Sequence, residues 1–118
     1  MGQSTNAILT YGFQIEEDSE AHAVCEQLQD DRYDEASAAE KELDVEAISH
    51  CSSNCPMFVI GVVSLTTRAR RGHPKEIIPT ALLKNEDEAR DKLKRFCERF
   101  GLPFDADKCG WWLQSDWS

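Results

Sequence analysis

Hydrophobic and polar positions alternate along residues 7–15. Ala7, Leu9, Tyr11, Phe13 and Ile15 fall on one side; Thr10, Gly12 and Gln14 fall on the other. That period predicts a half-buried strand, with Gly12 marking a bulge or a close backbone approach. The period then lengthens. Ala21, Val24, Cys25 and Leu28 recur at i, i+3, i+4 and i+7, which predicts a helix from about Ser19 to Gln29, capped by Asp18 or Ser19. Asp30 to Asp34 is expected to turn, and an Ala-rich stretch over residues 35–42 suggests a short second helix. Leu43, Val45 and Ala47 then alternate with Asp44 and Glu46, a strand pattern with an acidic outer face.

The second half is more apolar at first. Residues 51–56 form a loop of Cys, Ser, Asn and Pro, and Met57 to Thr67 is the strongest strand, apolar on both faces and therefore central. Residues 68–75 are expected as an exposed hairpin connection broken by Gly72 and Pro74, with Glu76 to Leu83 returning as an irregular or edge strand because of Pro79. Asn85 to Phe100 is the clearest helix. Asn85 and Glu88 cap it, Ala89, Leu93, Phe96, Cys97 and Phe100 make its apolar stripe, and Gly101 stops it. Cys109 to Ser115 reads as a last strand. The order β-α-(α)-β-β-β-α-β predicts one α+β domain over residues 1–118. Its sheet is expected to be antiparallel, of about four to five strands, with two or three helices on one face.

Charge changes this picture. Between Glu16 and Glu46 there are thirteen carboxylates and two cations, Arg32 and Lys41, a net of −11, while the rest of the chain carries +2 of the total −9. Glu16, Glu17, Asp18 and Glu20 suit the start of a helix, where the dipole favours anions. Asp30, Asp31, Asp34, Glu35, Glu40, Glu42, Asp44 and Glu46 have no such local reason and form the candidate partner-binding surface. The competing reading is a solvated face.

Candidate chemistry adds little. His50, Cys51 and Cys55 share one loop and are the candidate zinc ligands, with Cys109 or His73 as a fourth; the second short-spaced ligand pair typical of such sites is missing, so no cofactor is expected. Cys25 and Cys97 lie on apolar stripes and read as small buried hydrophobes. Nucleophile elbows, Walker loops, HExxH helices and dinucleotide-binding turns are all absent, so no enzyme is expected. His50 beside Cys51 could be drawn as base and nucleophile, but neighbours on a strand point to opposite faces. Asp105-x-Asp107 is too short for a calcium loop. Arg68, Arg70, Arg71 and Lys75 form a basic patch without interleaved aromatics; it is expected to be solvated or to pair with an acidic surface of this or a sister chain. Binding of nucleic acid through this patch is the alternative. Trp111 and Trp112 should face opposite ways, and Trp112 and Trp117 are further interface candidates. The longest apolar run, Met57 to Val63, is too short to span a bilayer and no export signal is visible, so a cytoplasmic location and no membrane partner are expected.

Two end motifs carry a resemblance. Met1-Gly2-x-Ser4-Thr5-x-Ala7-Ile8-Leu9-x-Tyr11-Gly12 and Gly110-Trp111-x-Leu113-x-Ser115-Asp116-Trp117 resemble small uncharacterised accessory proteins of tailed bacteriophages, over about a quarter of the chain. The resemblance brings no catalytic residues. It implies the host cytoplasm and an accessory, non-virion role. With the acidic block it implies a binder of a host protein or nucleoprotein, such as an anti-CRISPR-like inhibitor that offers carboxylates in place of phosphates.

Overall fold

A computed structural model describes residues 5–52, 56–70, 72–77 and 86–117. The elements are β1 (Thr5–Gln14), α1 (Glu20–Gln29), α2 (Tyr33–Leu43), β2 (Val45–Ser52), β3 (Pro56–Val62), a 3₁₀ turn (Val63–Leu65), β4 (Thr67–Arg70), α3 (Glu86–Phe100), a second 3₁₀ turn (Ala106–Lys108) and β5 (Gly110–Trp117). They form an α+β domain whose three helices pack on one face of a five-stranded sheet. The strand order is β3-β2-β5-β1-β4, and β3 also pairs with β1. The sheet therefore curls until β1, β5, β2 and β3 make a ring. All ladders are antiparallel except a short parallel contact between β2 and β5, at Cys51↔Asp116 and Ser52↔Trp117.

The helix-side core follows the predicted stripes except in the first half of β1, where Ala7 and Leu9 stay outside it and Ile8 and Thr10 on the opposite face are buried. Tyr11, Phe13, Phe58, Ile60, Val62 and Val45 from the sheet meet Cys25, Leu28, Leu93, Phe96 and Cys97 from the helices. Ser19 caps α1, its hydroxyl accepting from the His22 amide at 3.1 Å. Gly101, at φ 69°, ends α3, and the Leu102 N–H donates to the Cys97 carbonyl at 2.9 Å, the closing bond of a Schellman motif. At Gly12 the backbones of β1 and β3 come so close that a Cβ would overlap the Ile60 carbonyl. Gly12 is thus the close approach its place in a strand predicts.

Opposite the helices lies a second, smaller apolar layer. Ile8, Thr10, Ile48, Val59 and Gln114 are buried there. With its amide oriented to satisfy both protons, Gln114 donates to the Ile8 carbonyl at 3.1 Å and to the Trp112 carbonyl at 2.9 Å.

Four expectations need correction. The Met57–Thr67 strand is broken: β3 pairs with β1 up to Gly12↔Gly61, and β4 resumes at Leu9↔Thr67. The register slips by three residues, the length of the intervening 3₁₀ turn. Thr66 fixes the slip, its hydroxyl 2.7 Å from both the Thr10 hydroxyl and the Val62 carbonyl. Second, Arg68 and Arg70 lie in β4, an edge strand, and not in a hairpin loop; the turn comes only after them, where the His73 N–H donates to the Arg70 carbonyl. Third, α2 is longer than expected because Arg32, stacked 5.4 Å over the Phe100 ring, supports its start. Fourth, Asp44 is not on the outer face of a strand. It is the left-handed C-cap of α2, at φ 58°. The proposed return strand 76–83 is not seen at Glu76 and Ile77, and its remainder, with the Asn85 cap, lies outside the described residues.

Candidate functional site

Four of the eight candidate carboxylates are spent on the fold itself. Glu35 pairs with Arg32 at 2.6 Å, Glu42 with Arg99 at 2.7 Å, Asp44 with Lys92 at 3.0 Å and Glu46 with Arg68 at 2.9 Å. Asp44 also accepts from the Ser64 amide and hydroxyl. These pairs tie α2 to α3, the α2 cap to the 3₁₀ turn, and β2 to β4. Asp30, Asp31, Asp34 and Glu40 are exposed and join no ion pair among the described residues. The first three flank Tyr33, which is 64% exposed at the first position of α2. This corner holds three of the four candidate carboxylates that face outward unpaired among the described residues.

The basic patch is dispersed by the same geometry. Arg68 meets Glu46 of its own chain, one of the two pairings expected for it. Arg70 and Lys75 are exposed, and Arg71 lies outside the described residues. Trp111 enters the helix-side core, edge-on to Tyr11 with ring centroids 5.4 Å apart. Trp112 faces the other way, and its indole N–H donates to the Gly12 carbonyl at 3.0 Å. Trp117 ends β5, its side chain outside the described residues.

His50 and Cys51 behave differently from neighbours on a regular strand. Cys51 has φ 76°, which breaks the alternation, and both residues line one cavity of about 610 Å³ on the helix-free face. Cys55 lies outside the described residues, and among those described no group of three or more His, Cys, Asp or Glu side chains could hold a metal ion. The buried thiols are chemically quiet. Burial pushes Cys25 and Cys97 up to about 12, with each one's neighbouring thiol adding to the rise. Burial also raises Cys109, against the opposing pull of the Arg90 guanidinium. Burial raises the Tyr11 phenol as well, although the Arg90 side chain donates to it at 3.1 Å.

With this geometry in place, comparison with known proteins adds no family. No protein-family model matches the chain, and no curated protein or solved structure is significantly similar to it.

The periodicity gave no sign of the concave surface. Besides the cavity at His50 and Trp112, one of about 740 Å³ lies between the start of α1 and the loop 101–108, floored by Phe13, Ile15, Leu102 and Phe104. A smaller one of about 480 Å³ lies between them, beside Gln14 and Lys108. The available signal was Leu102-Pro103-Phe104, apolar residues beyond any periodic element. Phe104 is held edge-on to Phe13 with ring centroids 6.3 Å apart. Among the described residues no helix is long and apolar enough to cross a membrane.

Proposed function

We propose that this protein is a non-catalytic binding protein that presents an acidic surface to a basic partner. The observation that carries the reading is the corner between α1 and α2, where exposed Tyr33 is flanked by Asp30, Asp31 and Asp34, none of them neutralised within the described chain. An aromatic ring among unpaired carboxylates combines a desolvating anchor with long-range steering toward a cationic cleft. The resemblance to phage accessory proteins favours a host nucleoprotein as that partner, with the carboxylates taking the place of nucleic-acid phosphates in an anti-CRISPR-like inhibitor.

Competition tests this directly. The protein is titrated into purified CRISPR effector complexes in the presence of fluorescent target DNA. Displacement is expected to weaken with salt, and to fall by roughly a hundredfold when Asp30, Asp31 and Asp34 are replaced by Lys and Tyr33 by Ala. Displacement that survives those changes, or no displacement from any complex, counts against the reading.

A further inference from the structure

The three cavities share their walls. The α1-side cavity and the small one have Gln14, Ile15, Glu16 and Lys108 in common, and the small one and the His50 cavity share Gln14 and Trp112. Together they make one groove that passes over the end of β1, from the helix face of the sheet to the helix-free face. Its floor is apolar at both ends, Phe104 and Ile15 on one side, Met57 and Val59 on the other. Its rim is acidic on the α1 side, where, among the described lining residues, Glu16, Glu20, Asp105 and Asp107 face one cation, Lys108. Glu16, Glu20, Asp105 and Asp107 join no ion pair among the described residues. At the crossing, exposed Gln14 and the ring of Trp112 offer a polar and an aromatic contact.

We propose that this groove binds an extended peptide segment in which lysine or arginine alternates with apolar side chains. Charge complementarity selects the cationic residues, because an anionic rim around a low-dielectric floor attracts them. The apolar floor selects their neighbours. The path selects the extended conformation: a helix about 10 Å across cannot turn over the end of a strand, whereas an extended chain places successive side chains on opposite sides as it bends. This site is separate from the Tyr33 corner and does not depend on it.

The probe is a short synthetic peptide in which lysine and leucine alternate, titrated into the full chain labelled with nitrogen-15. Expected are shifts at the Gln14 amide, the Trp112 indole N–H and the Lys108 amide, with a Kd of about 10–100 μM. Glu16→Lys with Glu20→Lys should weaken binding about tenfold, and Gln14→Trp, which plugs the crossing, should abolish it. All three positions are exposed, and an otherwise unchanged spectrum shows that the variants fold. Replacing Asp30, Asp31 and Asp34 by Lys should leave binding intact, which separates this site from the corner above. The proposal is overturned by shifts that map elsewhere, by equal binding of a glutamate–leucine peptide, or by equal weakening from the reversals at residues 30, 31 and 34.

Discussion

Cys25 on α1 and Cys97 on α3 lie in one buried cluster, with 0% and 1% of their surface exposed. Burial holds both thiols protonated up to about pH 12, above the ordinary 9.0. A thiol raised in the folded state favours folding fully only below its unfolded value, because above that the unfolded chain gains by ionising. Stability should therefore decline as pH rises from 9 toward 12. Urea midpoints measured across that window should show a shallower decline for Cys25→Ala with Cys97→Ala, although the variant starts roughly 1–2 kcal/mol less stable near neutrality. Parallel curves for the two proteins would exclude the thiols as the source. The burial of both cysteines was legible in the sequence, since each sits on a helical stripe. That they share one cluster was not, because it depends on how the helices pack onto the sheet.

The α2 helix shows where element-level reading succeeds and where it stops. Alanines at positions 36, 38 and 39 predict a helix, and Ala39 is fully buried. Its end is set by Asp44, and no local pattern distinguishes an aspartate at a left-handed cap from one on the outside of a strand. Both are flanked by Leu43 and Val45. The deciding partners, Ser64 and Lys92, lie on other elements. Asp44→Ala should lose the cap-to-turn bonds and strain the left-handed backbone, costing about 2–3 kcal/mol. Asp44→Asn, which tolerates that conformation and keeps an acceptor, should cost about half as much. Calorimetric melting of the two variants checks this; equal losses would mean that only the charge matters. The break after β3 is hidden in the same way, because apolar composition continues through Val63 and Leu65 although the ladder does not.

At the scale of the whole molecule the sheet is a ring with one thin seam. β1 is flanked by β5 along most of its length and by β3 and β4 on its other edge, whereas β2 meets β5 at two residue pairs among the described residues. Hydrogen exchange should follow that difference. Amides of Thr10 and Tyr11 should exchange only with global unfolding, and those of β4 and the Cys51–Ser52 seam by local opening, orders of magnitude faster. Uniform protection around the ring would contradict the seam. The α+β architecture was open to sequence reading because strand and helix periods differ so clearly in β1, α1 and α3. The curl was not, since it rests on β3 reaching two partners at once. The groove over the end of β1 was equally hidden. It forms where residues 14–24 meet residues 101–108, and nothing in either segment names the other.

The three-residue slip beside β1 acts as a phase inverter. In β3 the even-numbered side chains, Phe58, Ile60 and Val62, turn toward the helices. An unbroken strand would carry Arg68 and Arg70 inward behind them. Because the slip is odd, both arginines emerge on the opposite side, where Arg68 finds Glu46. The segment between Val62 and Thr67 therefore has something like a reading frame. Gain or loss of a single residue there would drive two guanidinium groups against the core, while a change of two would leave the sense of every downstream side chain intact. Length variation at this point is restricted by parity more than by size.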